Sequence, residues 1–228
     1  MSSIQTLQPQ WHAPPNVRAV FTLRGSEDPE RVNEFHRDLR ETLALPSQPA
    51  WLEQVHGIAA VNLDESPPPR PRADASFTRT AGRVCVVRVA DCMPVLLAQK
   101  DGKGVGAAHA GWRGLVAGVI EATIAAMGAD PAQLCAWMGP AIGPADFEVG
   151  DEVREAFVSH SSQAASAFER NVRGRWQCDL YALARQRLEA LGVAEISGGG
   201  WSTFSDERFH SFRRNGTKAR MAALIWMT

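Results

Sequence analysis

The chain has 228 residues, of which 45% are hydrophobic and 21% charged, and a formal net charge of −1, which suits one folded domain over residues 1–228 and excludes a disordered or fibrous chain. This balance supplies no polybasic surface for nucleic acid. The polar start, Met1 to Pro15, lacks the apolar core of a secretory signal, and no apolar run approaches the ~20 residues of a membrane-spanning helix, so the expectation is a cytoplasmic protein with no membrane partner.

Along the chain, the alternation Val17 to Leu23 predicts an early strand. Asp28-Pro29-Glu30 then opens a helix, with Asp28 as N-cap, Pro29 in the first turn and Val32, Phe35, Leu39 and Leu43 on one face, ended by Pro46 and Pro49. Ile58 to Leu63 reads as a strand, and Pro67 to Pro71 must be an exposed connection because consecutive prolines cannot join a ladder. Strands at Arg83 to Val89 and Pro94 to Gln99, the turn Lys100 to Gly104 and a small-residue strand Val105 to His109 follow, with one hairpin among them. Leu115, Val119, Ile120, Ile124 and Met127 predict a single helix over 115–127, stopped by Gly128. A strand at Leu134 to Met138, helices at Asp151 to Ser159 and Asp179 to Leu191, a loosely specified surface connection at Ser161 to Ala167 and a last strand at Met221 to Trp226 complete the series. Strands and helices without clean alternation indicate an α+β fold with mixed sheets.

Cys85, Cys92, Cys135 and Cys178 lie far apart with no Cys-x-x-Cys pair and read as reduced thiols, Cys85 and Cys135 buried in apolar runs. Three segments look unlike packing sequence: Glu53-Gln54-Val55-His56-Gly57, Ala90-Asp91-Cys92-Met93-Pro94 and Ala107 to Gly114. Each sets one metal-ligating residue at a strand edge beside Gly or Pro, where a turn lets a side chain project into a cleft. Two imidazoles and a thiolate are the three protein ligands of a catalytic zinc site with an open fourth position, and the same set suits copper. Their separations of 36 and 17 residues match no short metal signature, so the residues alone leave open that His56, Cys92 and His109 are unrelated packing residues.

The runs Gln54-Val55-His56-Gly57, Arg72-Ala73-Asp74-Ala75, Ala90 to Leu97, Ala108 to Gly114, Gly139 to Pro144 and Phe212 to Gly216 resemble the YfiH family, also called laccase-domain, multicopper polyphenol oxidase or purine nucleoside phosphorylase proteins. The resemblance implies zinc on His56, Cys92 and His109, with copper possible. It also implies phosphorolysis of adenosine, inosine, guanosine and methylthioadenosine, adenosine deamination in the same pocket, and an α-β-β-α layered fold like that of a toxin deamidase family. Two departures affect the pocket lip: Arg24 to Glu27 is shorter than the family's loop, and Ser202-Thr203-Phe204-Ser205 stands where the family has Cys-Thr-x-Ser.

Deamination needs a carboxyl to shuttle protons, for which Asp74 and Asp91 are candidates; a role holding a turn or orienting a histidine is equally open for each. Phosphorolysis needs an anion site, and Arg113, just ahead of the 115–127 helix and its free backbone donors, is the first choice, Arg214 the second; a surface arginine covering Trp112 and a solvated Arg213-Arg214 pair stay open for them. Gln54 and Phe147 are further candidate substrate contacts, Phe147 by stacking on a purine, with a plain core role for Phe147 the favoured alternative. His12, His36, His160 and His210 read as surface or structural residues. A copper oxidase is disfavoured by only six histidines with no His-x-His pair. A thiol hydrolase with Cys92 as nucleophile and His109 as base, linked in this family to editing of peptidoglycan precursors, and a non-enzymatic binding protein stay as alternatives. The expected partners are purine nucleosides and phosphate, and a monomer is favoured.

Overall fold

The computed structural model describes residues 4–25 and 39–228. The expected helix start at Asp28, with Val32, Phe35 and His36, and the shortened loop beyond Gly25 lie outside the described residues. Residues 39–42 are helical, and Leu39 is fully buried.

Two sheets form the body. The first has the order β1 (Thr6–Leu7), β2 (Val17–Thr22), β13 (Met221–Met227), β5 (Val84–Val89), with antiparallel pairing throughout. The second, of six strands, has the order β12 (Glu195–Gly198), β8 (Leu134–Met138), β6 (Met93–Gln99), β7 (Val105–Ala110), β4 (Ala75–Thr78), β3 (Ala60–Asn62). It is mixed, since β3 with β4 and β8 with β12 pair in parallel. The expected hairpin is β6–β7, with Pro94 opposite His109. A small sheet, β10 (Phe168–Arg170), β11 (Trp176–Cys178), β9 (Glu148–Val149), stands apart.

Strands β5, β6, β7, β8 and β13 are apolar along almost their whole length because both faces are covered. Between the sheets lie Phe21, Val87, Leu96, Ala107, Trp137 and Ala223; Phe21 and Trp137 rings meet at 6.4 Å. On the outer face of the six-stranded sheet, Val95, Leu97 and Ala108 pack against helices α2 (Val119–Met127) and α4 (Leu180–Leu191). The other outer face is covered by Leu39 and Leu45 against Val84, Val86 and Leu224. This is the layered order helix, sheet, sheet, helix.

Two expectations are corrected. The single helix over 115–127 is two: α1 (Trp112–Ala117) begins earlier, and Gly118, at φ 98° in the left-handed region, caps it before α2 begins. An apolar stripe carries on through such a break, so periodicity alone could not show it. Ser162–Ala167 is not a loose connection but a 3₁₀ segment that buries Ala164 and Ala167. α3 (Asp151–Val158) and α4 match the expected helices, and Asp179 caps α4 by accepting from Ala182 N at 2.9 Å. The strands β9 to β12 and the four-residue helix α5 (Phe212–Asn215) are too short to leave a periodic signal. No helix among the described residues is long and apolar enough to cross a membrane.

Strands β5 and β6 belong to different sheets, so residues 90–92 carry the chain from one sheet to the other. Asp91 turns this crossing at φ 83°. The candidate site forms around this link.

Candidate metal centre

Asp74 organises the centre from beneath. Fully buried, it accepts hydrogen bonds from His109 Nδ1 (2.8 Å) and from the backbone N–H groups of Val55 (3.1 Å), His56 (2.9 Å) and Gly57 (2.7 Å). One carboxylate therefore shapes the 55–57 turn, where His56 has φ 60°, and orients the His109 ring on β7. Burial opposes the charge, yet the bonds from His109 and from the Gly57 and Val55 amides hold the carboxyl below its ordinary value. With Nδ1 engaged, Nε2 is the atom His109 presents to a neighbour.

Cys92, at the sheet crossing, brings Sγ to 3.8 Å from His56 Nε2, and the His56 and His109 rings meet edge to face at 4.8 Å. The ligand atoms of His56, Cys92 and His109 all lie within 4.8 Å of one another. Tetrahedral zinc, with Zn–N of about 2.0 Å and Zn–S of about 2.3 Å, sets its ligand atoms about 3.3–3.7 Å apart, so a closure of about 1.5 Å or less fits the set to an ion. Gly111 makes the approach possible, since a Cβ there would sit 2.7 Å from Cys92 Sγ and 3.2 Å from His56 Cδ2. Burial alone would raise the Cys92 thiol, but the His109 and His56 imidazoles pull it down to about 6. Burial likewise disfavours the His109 imidazolium, but the Cys92 thiolate and Asp74 raise it to about 9. The thiols of Cys85 and Cys135, without such neighbours, are pushed up by burial to about 12 and 11.

The centre opens into a cleft of about 620 Å³. His56, Cys92 and His109 line it, together with the cationic side chains Arg88, Arg113, Arg213, Lys218 and Arg220 and the aromatic rings of Trp112, Phe147 and Phe212. Among the described residues Asp91 is the only carboxylate lining it.

The sequence candidates divide by position. Asp91 Oδ1 accepts from the Thr203 hydroxyl (2.7 Å) and Oδ2 from Arg213 N (2.6 Å), tying two distant segments to the Cys92 crossing. Asp74 lies behind the ligands with its oxygens occupied and does not line the cleft. Arg113 is exposed and lies inside the first turn of α1 rather than ahead of a helix, its guanidinium 4.4 Å over the Trp112 ring. Phe147 is 5% exposed and joins the core beneath the cleft wall. Gln54 lines the cleft, but its amide exchanges two 2.8 Å bonds with the Arg88 backbone, Nε2 donating to O and Oε1 accepting from N. Arg214 points away: it donates to the carbonyls of Thr203, Phe204 and Phe209 and pins the 203–209 loop. Ser202 accepts from Gly143 N at 3.1 Å and lies outside the cleft lining. Sequence reasoning passed over Trp112, Phe212, Arg213, Lys218 and Arg220. The available signal was the density of cations in Phe212 to Arg220.

The family described as multi-copper polyphenol oxidoreductase laccase matches residues 17–228. A purine nucleoside phosphorylase of Pseudomonas aeruginosa is 45% identical over 240 aligned positions, covering 97% of this chain and 98% of that protein. The purine nucleoside phosphorylase YfiH of Escherichia coli is 44% identical over 96% of this chain and 97% of its own. A Neisseria meningitidis crystal structure superposes with a TM-score of 0.91 at 40% identity, covering 97% and 98% of the two chains. YlmD from Geobacillus stearothermophilus superposes at 0.83 with 25% identity, covering 99% and 98%. With its sequence matched to that family from residue 17 to residue 228 and its fold shared over nearly the whole length, the chain belongs to the multi-copper polyphenol oxidoreductase laccase family, whose members include proteins named purine nucleoside phosphorylases.

Proposed function

We propose that the chain is a zinc-dependent purine nucleoside phosphorylase, acting as a one-domain cytoplasmic monomer on adenosine, inosine, guanosine and S-methyl-5′-thioadenosine, and that it also deaminates adenosine. The observation that carries this reading is the convergence of His56, Cys92 and His109 at the floor of a cleft lined by five cationic side chains. The relatives named purine nucleoside phosphorylase support the reaction class.

A zinc ion held by these three residues supplies Lewis acidity to the reaction. The chain's own groups do the rest. In phosphorolysis a phosphate oxygen displaces the purine at the ribose anomeric carbon, and the base leaves with a proton. Arg113, held over Trp112 and with no partner on its N–H edge among the described residues, holds the phosphate. Asp91, the one carboxylate lining the cleft among the described residues, carries the proton in deamination on a lone pair not used by Thr203 or the Arg213 amide. Asp74 positions His109 and the His56 turn without touching substrate. Gln54 and Arg214 act at one remove, by bracing the Arg88 backbone and the 203–209 loop. Trp112 and Phe147 supply apolar walls for a purine.

The test is metal analysis of purified protein, followed by adenosine with phosphate and chromatography of the products. About one zinc per chain, with release of adenine and ribose 1-phosphate and some inosine, is expected, and Cys92→Ala should abolish both. Metal-loaded protein that yields none of these products would sink the reading. Copper loading with oxidation of phenols would replace it by the oxidase. The Cys92 thiolate beside His109 also suits a nucleophilic thiol. Zinc should slow alkylation of Cys92, whereas a trapped acyl-enzyme would favour the thiol.

A further inference from the structure

We infer that the cleft holds a second anion subsite, built by the segment 212–220, that binds the 5′-phosphate of a purine nucleotide; this rests on the reading of the cleft as a purine nucleoside site. Arg213, Lys218 and Arg220 reach the cleft from this segment, whereas Arg113 comes from α1. Elsewhere in the chain several arginines do pair with carboxylates, as in Arg187 with Glu121 and Arg208 with Asp206, both at 2.6 Å. Among the described residues no carboxylate pairs with Arg113, Arg213 or Lys218, and both Asp91 oxygens already accept bonds from Thr203 and the Arg213 backbone. A cluster of like charges left this way is a site for an anion.

The arginines are also held in place. Arg213 lies 5.3 Å over the Phe147 ring and Arg220 5.9 Å over Phe212, as Arg113 does over Trp112. Stacking fixes a guanidinium plane and leaves its N–H edge for oxygens. Arg213 spends one donor on Glu148 O at 2.9 Å, and a guanidinium has about five. A phosphate bound for phosphorolysis carries a charge of about −1.5 to −2, which offsets Arg113 and no more than one further cation, so at least one of Arg213 and Lys218 is left for a second anion. Phe212, 57% exposed at the cleft, is the apolar surface against which a nucleoside carrying its own phosphate would rest. The cleft volume lies in the range of about 300–1,000 Å³ usual for small-molecule sites.

The test compares adenosine, adenosine 5′-monophosphate and ribose 5-phosphate by calorimetry on the zinc-loaded enzyme in phosphate-free buffer, with adenosine phosphorolysis assayed in parallel. The nucleotide should bind roughly tenfold to a hundredfold tighter than adenosine, as one or two charge-assisted contacts provide, and added KCl should shrink that ratio. Lys218→Gln and Arg213→Gln should each reduce the nucleotide-to-nucleoside ratio, and the double variant should bring it close to unity. A nucleotide no tighter than adenosine would overturn the inference. So would a ratio that survives in the double variant, which would place the phosphate elsewhere, or ribose 5-phosphate binding as tightly as the nucleotide. Phosphorolysis without a nucleotide advantage removes this inference alone. A nucleotide advantage without phosphorolysis upholds it and removes the phosphorylase reading.

Discussion

Asp74 accepts four hydrogen bonds, three from one turn and one from His109, and so sets the geometry of two of the three candidate ligands at once. Asp74→Asn keeps the volume but replaces one acceptor oxygen with an NH₂ facing N–H donors. Metal affinity, measured by competition with a chromophoric chelator, should fall about 10–100-fold with the fold retained. Cys92 and His109 form the complementary pair. Cys92 sits at about 6, below its ordinary 9.0, and His109 at about 9, above its ordinary 6.5. In metal-free protein the thiolate's contribution to stability is lost as pH falls through about 6, and the imidazolium's is lost as pH rises through about 9. Urea resistance of the metal-free protein should therefore be greatest between these values, and thiolate absorbance should titrate near 6. A midpoint close to that of an ordinary cysteine would show that the imidazoles do not act on Cys92.

At the scale of elements, two glycines beside the centre have different duties. Gly111 has φ −66°, so alanine there is conformationally ordinary, but its Cβ would intrude between Cys92 and His56. Gly118 has φ 98° and nothing closer than 3.5 Å to a built Cβ, so alanine there meets strain and not a clash. Gly111→Ala should lower bound zinc well below one per chain with little change in melting temperature. Gly118→Ala should cost about 1–2 kcal/mol, lowering the melting temperature by about 2–8 °C, and keep zinc. Calorimetry and metal analysis on the same two proteins separate the effects. Equal loss of zinc in both would mean that the α1–α2 break is also part of the centre.

For the whole molecule, the core between the two sheets holds the crossing at residues 90–92 in place. Trp137 on β8 is fully buried there, in contact with Phe21 and Trp201. Trp137→Ala should cost about 3–5 kcal/mol, read from the urea midpoint, because the sheets cannot collapse on the void. The same architecture explains how a chain of net charge −1 carries a strongly cationic cleft. Its basic residues are not rich in number; β13 and the segment before it return to the edge of β5 and bring 212–220 beside the 90–92 crossing.

Local order alone determined the long strands, the helices α3 and α4 and the three segments bearing His56, Cys92 and His109, because apolar periodicity, caps and residues out of place on a strand edge are written in neighbouring positions. The resemblance to a known family then pointed to the layered fold and the ligand set. Tertiary structure decided what neighbouring positions cannot encode. Sheet pairing brought residues 56, 92 and 109 within 4.8 Å of one another. It assigned Asp74 to holding His109 and the 55–57 turn and spent Gln54 and Arg214 on backbone groups. It added the 212–220 cations to the cleft. Each of these outcomes depends on contacts between segments tens of residues apart, which the packing of two sheets creates and no local pattern records.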